Sequence, residues 1–251
     1  MPESESKGPA PEMSEAAAAL GIFTRPSATF AALARKPTWW LPFVAGLLVS
    51  AVFSFVMTDK MDYDASMRQA IEKRAAKSGQ SMPAAEMEKS VDTAVEMQRK
   101  MAPYYPTIGA AGYSFFFFLI ALVLAFSASA FGAEAKIPVY LAVYSHAQIP
   151  LVIRSIYGTI RLLSAADGSL TFEQLGRIGT IGPALFLSPS SPATLLALAS
   201  SLDLGVLATL GLVVLGFRRL PGLSRASAAG VPIALYGLFV LIRVCWAALF
   251  G

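Results

Sequence analysis

The chain has 251 residues, 55% of them hydrophobic and 14% charged, where an ordinary soluble domain carries about 25% charged residues. Its net charge of +4 comes from 20 basic and 16 acidic residues that are intermixed, which excludes the one-signed basic footprint of a nucleic-acid binder. The single cysteine, Cys245, excludes an internal disulfide.

Residues 1–20 are rich in Pro, Glu, Ser and Ala, lack the basic and apolar regions of a cleaved signal peptide, and are expected to form a disordered tail. Residues 21–38 form an amphipathic segment. Ile22, Phe23, Phe30 and Leu33 offer an apolar face, Arg25, Arg35 and Lys36 lie on the other side, and Thr24 with Pro26 suits a helix start. This predicts a short interfacial helix, with Trp39 and Trp40 as anchors at headgroup level.

Five apolar blocks follow, at residues 39–57, 108–131, 138–160, 195–217 and 231–250. Each is long enough to cross ~30 Å of hydrocarbon at ~1.5 Å per residue. Backbone polar groups in lipid must be satisfied within the segment, so each block predicts a helix. The fold class is therefore an all-α membrane protein, a bundle of about five transmembrane helices, the last four in residues 108–251. On the second block, Ala121, Ala125, Ser129 and Ala133 form a small-residue row suited to close helix packing.

Residues 58–107 are the one long polar stretch, with eight basic and eight acidic residues. Tyr63, Met67, Ala70 and Ile71, then Met87, Val91, Ala94 and Val95, follow helical spacing, with Gly79 and Pro83 between them and Ser81 placed to cap the second run. This predicts a charged helical hairpin outside the membrane, inserted between the first two spans. Arg68–Glu72 and Glu96–Lys100 are spaced as i,i+4 pairs. The short loop with Arg218, Arg219 and Arg225 and no acid places itself and the N-terminus in the cytoplasm, and residues 58–107 and the C-terminus outside.

The catalytic inventory is thin. His146 is the only histidine, Ser145 beside it is expected to point away on a helix, and no motif for a hydrolase elbow, zinc site or phosphate loop is present. Seven of the nine methionines lie between Met57 and Met101. Thioethers suit Cu(I), but without His or Cys nearby these methionines read as helix padding. No catalytic, cofactor-binding or metal-binding residue is expected.

Polar residues at membrane depth carry more information, because a buried charge is costly and normally paired. Counted from the outer ends of their spans, Arg154, Asp203 and Arg243 lie at similar depth. Asp203 is expected to pair with Arg243, Arg154 or both, with His146 and Gln148 forming one wall of a polar interior. This cluster is read either as a structural ion pair or as a binding or conduction site.

Several stretches together resemble a known family: Phe23-Thr24-Arg25-Pro26-Ser27-Ala28-Thr29-Phe30 before the first span; Phe131-Gly132-Ala133-Glu134-Ala135-Lys136 running into Val139-Tyr140-Leu141-Ala142-Val143-Tyr144 and Ile149-Pro150-Leu151; and Leu202-Asp203-Leu204-Gly205 with Leu223-Ser224-Arg225-Ala226-Ser227-Ala228-Ala229. They resemble the bacterial branch of the Yip (Ypt-interacting protein) family of five-span membrane proteins. Where that family usually has an aromatic after the Asp, this chain has Gly205-Val206-Leu207. The resemblance implies a cytoplasmic N-terminus and no enzymatic activity. Eukaryotic relatives bind small Rab-type GTPases and shape vesicle membranes, a partner not transferred to a bacterial-looking chain. The expected role is a scaffold or interaction protein of the cytoplasmic (inner) membrane, whose partners are the lipid bilayer and a protein of unknown identity, with homo-oligomers allowed. The alternative is a small transporter or permease component using the Arg/Asp cluster.

Overall fold

The computed structural model describes residues 13–79, 82–188 and 191–250, which fold into helices and the loops that join them, with one isolated bridge between Met61 and Leu170. The order begins α1 (Glu15–Thr24), α2 (Pro26–Arg35), α3 (Trp40–Lys60), α4 (Tyr63–Ser78), α5 (Ala84–Met101) and α6 (Tyr105–Ala130). It continues α7 (Ile137–Ala147), α8 (Ile149–Leu163), α9 (Phe172–Arg177), α10 (Ala193–Ser201), α11 (Leu204–Phe217) and α12 (Arg225–Phe250).

The chain is an all-α membrane protein. Helices α3, α6 and α12 are each long and apolar enough to cross a bilayer, and α10 with α11, bent by 48°, makes a fourth span if the pair is counted as one. The block at residues 138–160, expected as one helix, is instead two, α7 and α8, divided at Gln148. Pro150, which has no N–H, stands in the first turn of α8, where a missing donor costs nothing, so a break falls just before it.

The N-terminal region departs most from expectation. Helix α1 starts at Glu15, inside the expected tail, and its Ser14 cap accepts from Ala17 N. Residues 1–12 lie outside the described residues. The apolar face of α1 and α2 does not rest on lipid. Ala18, Ile22, Phe30 and Leu33 are at most 3% exposed, in one core with Val143 of α7 and Phe217 of α11, while Phe23 stays 55% exposed. An amphipathic stripe suits a protein groove as well as a bilayer surface, and here the bundle supplies the groove. At Gly216 a Cβ would stand 2.4 Å from Val143 Cγ1 and 3.2 Å from Phe30, so only glycine lets α2, α7 and α11 approach this closely. Thr24 ends α1 and caps nothing; Arg25 holds the cap position of α2 without a side-chain bond.

Trp39 is half-buried and packs on Phe43, Phe117 and Phe118, with ring centroids at 5.7, 6.3 and 5.9 Å, whereas Trp40 is 57% exposed. Trp40 thus has the exposure of an interfacial anchor and Trp39 is part of an aromatic core. On α6 the buried small residues are Ala121, Ala125 and Ala128; Ser129 is exposed, because the seam follows helical spacing more closely than a strict four-residue step.

Outside the spans, α4 and α5 pack as an antiparallel arm, and α5 runs on into α6 as one apolar-ended helix over Ala84–Ala130. Arg68 reaches Glu88 on the facing helix (3.3 Å) and Asp64 (3.7 Å) instead of forming the expected pair with Glu72; Glu96 and Lys100 pair at 2.7 Å. Ser81, the expected cap, lies outside the described residues; Pro83 holds the cap position of α5.

Candidate functional site: a buried ion pair beside a cavity

Asp203 sits at the bend between α10 and α11 and is 1% exposed. A carboxylate at this depth survives only if every lone pair is satisfied. Its Oδ1 accepts from Gly205 N (2.9 Å) and Val206 N (3.3 Å), capping α11, and its Oδ2 accepts from Ile181 N (2.8 Å). Arg154 Nε of α8 stands 3.1 Å from Oδ2 and donates to the Gly179 carbonyl at 3.0 Å. Leu204 N returns a bond to Ile181 O at 2.8 Å, so the loop after α9 is stitched to the bend from both sides. One residue thus ends one half-span, starts the next and anchors α8.

The other polar residues separate. Arg243 is exposed and reaches Ser201 Oγ at 3.4 Å, so the expected Asp203 partner is Arg154. Depth follows from counting residues, but the contact made there does not: Arg243 turns to Ser201 of α10, two positions before Asp203. His146 is fully buried; its Nδ1 lies 2.9 Å from Ala142 O and 3.3 Å from Ser145 Oγ, and Nε2 has no partner among the described residues. Ser145, expected to point away, therefore does approach the ring. Both side chains, however, converge on the same Ala142 carbonyl and are at most 2% exposed, an arrangement of core anchoring with no room for a substrate.

Gln148 belongs to a different feature. Tyr113 of α6 donates to Gln148 Oε1 at 3.1 Å, and both residues line a cavity of about 500 Å³ between α3, α6, α8 and the α9 region. Arg154 lines it as well, with Ser50, Ser155 and Tyr144. The sequence pointed to Arg154 and Gln148 but not to Tyr113, Ser50 or Ser155, since a hydroxyl inside an apolar span has no pattern that marks it. Among the described residues no group of His, Cys, Asp and Glu is placed to hold a metal.

Buried polar groups joining broken helices, within apolar spans, define an integral membrane protein of helical-bundle type. The Yip1 domain matches residues 20–245, and the chain belongs to the Yip1-domain family. No curated protein and no solved structure gives a match.

Proposed function

We propose that this protein is a non-enzymatic membrane scaffold that presents the α4–α5 arm to a protein partner. The observation that carries the reading is how firmly the arm is held. Lys60 pairs with Asp167 (2.6 Å) and Lys73 with Glu173 (3.0 Å), and Phe172 N donates to Ser66 Oγ (3.2 Å). Gly168 N and Leu170 N donate to Asp59 O and Lys60 O, each at 3.0 Å, and Met61 is buried with Leu162, Leu175 and Ile178. An arm fixed at its base loses little entropy when a partner docks, which favours a presentation role.

The contact face we assign is Met97, Met101 and Tyr104, which are 63%, 41% and 60% exposed at helical spacing. Tyr104 is close enough to the first residues of the span for the headgroup layer. Met97, 11 residues before Ile108, stands ~16 Å beyond it, too far for lipid to cover. The basic residues Arg35, Lys36, Arg218, Arg219 and Arg225 favour a cytoplasmic location for the opposite end in an inner membrane, which puts the arm outside. The test is Met97→Asp with Met101→Asp: crosslinking to the partner is lost while membrane insertion persists. Unchanged crosslinking contradicts the assignment of this face. The transporter reading is weaker, because Asp203 is used up as a helix cap and loop anchor.

A further inference from the structure

We propose that the cavity between α3, α6 and α8 is a binding site for an amphiphile with an anionic head and a single acyl chain, the head seated on Arg154. This goes beyond the scaffold reading and does not depend on it. At about 500 Å³ the cavity has the size of an ordinary ligand site. Gly158 of α8 and Gly179 line it where they meet: a Cβ on Gly158 would stand 3.1 Å from Gly179 Cα, so the two backbones touch without side chains. Toward its other end lies the Tyr113–Gln148 hydrogen bond, with Gly46, Phe117 and Tyr144 around it.

The head-group chemistry follows from counting donors. Asp203 already takes three backbone N–H groups, from Ile181, Gly205 and Val206, besides its contact with Arg154 Nε. Its charge is therefore shared with the amino end of α11, and it does not consume the whole guanidinium. Nε makes both contacts seen for Arg154, with Asp203 and with the Gly179 carbonyl, so the guanidinium has further N–H donors to offer. The Arg154 side chain is 29% exposed, while Asp203 does not line the cavity. The Tyr113 and Ser50 hydroxyls already donate to Gln148 and the Gly109 carbonyl, so the cavity offers the Arg154 cation and the Ser155 hydroxyl, with no carboxylate in its lining, which suits a carboxylate or phosphate.

The tail follows from the opening. Phe116 lines the cavity and is also 59% exposed on the outer face of α6, a span, so the cavity communicates with lipid at that side. Leu151 and Val152 of α8 complete an apolar wall. A ligand arriving from the bilayer with its head at Arg154 leaves its chain along these residues.

The test uses the full chain in nanodiscs and a photoreactive long-chain fatty acid as the probe. Labelling is expected on α3, α6 and α8 peptides, competed by unlabelled fatty acid or a single-chain lipid phosphate but not by the fatty alcohol of equal length. Arg154→Gln is expected to weaken labelling roughly tenfold, the loss of a charge-assisted contact. Because that variant also disturbs Asp203, Val152→Trp fills the apolar wall without touching the ion pair and is expected to abolish labelling with the thermal midpoint unchanged. Equal competition by the alcohol, labelling that survives Val152→Trp in a folded protein, or competition by inorganic phosphate alone overturns the proposal; the last outcome makes it a free-anion site.

Discussion

Arg154 and Asp203, 49 positions apart, meet at 3.1 Å inside the bundle, and the Gly179 carbonyl lies 3.0 Å from the same Arg154 nitrogen. The pair joins α8, the loop after α9 and the bend between α10 and α11. Asp203→Asn retains an oxygen that can cap α11, but its amide nitrogen cannot accept from Ile181 N or balance Arg154. The expected loss of stability is about 2–3 kcal/mol, below the ~3–5 of a fully enclosed pair because Arg154 is 29% exposed and partly screened. Thermal unfolding in detergent checks this; an unchanged midpoint contradicts it.

Close packing at Gly216 makes a second prediction. Gly216→Leu places a side chain where even a Cβ is 2.4 Å from Val143, and overpacking of this kind costs about 1–3 kcal/mol. Gly237→Ala, with nothing within 4 Å of the added Cβ and a better helix former in mid-helix, is expected to leave the midpoint unlowered or slightly raised. Equal effects of the two would show that α2, α7 and α11 do not meet as described.

The arm's base predicts a charge-reversal result. Lys73 and Glu173 pair at 3.0 Å with side chains 68% and 32% exposed, so Lys73→Glu costs at most ~1 kcal/mol and Glu173→Lys in the same chain restores most of it. The coupling weakens in high salt. Hydrogen exchange of α4 amides reads the effect locally; no coupling between the two sites contradicts the clamp.

On the arm, the hydrogen bond and charge of Lys100 hold the Glu96 carboxyl below its ordinary value of 4.5. A carboxyl whose folded pKa is depressed adds stability that is present above its unfolded value and disappears as pH falls through the folded one. That window lies below pH 4.5, so neutral-pH stability does not vary with this group. Lys100→Ala is expected to return Glu96 upward to the ordinary range in an NMR titration; an unmoved Glu96 contradicts the pairing.

Much of this architecture was legible in the residues. Length and hydropathy located α3, α6 and α12, and a charge at membrane depth singled out Asp203, although the fourth block, read as one helix, bends at that residue. What sequence could not supply was direction around a helix. The same count of residues puts Arg154 and Arg243 at similar depth, yet one meets the Asp203 carboxylate and the other stops at the Ser201 hydroxyl. The apolar face of Ile22, Phe30 and Leu33 was equally legible, but whether lipid or Val143 and Phe217 covers it depends on tertiary packing. The cavity escaped for a related reason: Tyr113, Ser50 and Ser155 come from three helices and converge only in the fold.

The scaffold account is tested most directly by comparing crosslinked partners of the intact chain with those of a chain lacking residues 59–106, both purified from native membranes. The account predicts a partner that is captured by the intact chain and absent after the deletion, while the shortened bundle still inserts and melts cooperatively. The same partners in both samples, or none in either, would contradict it.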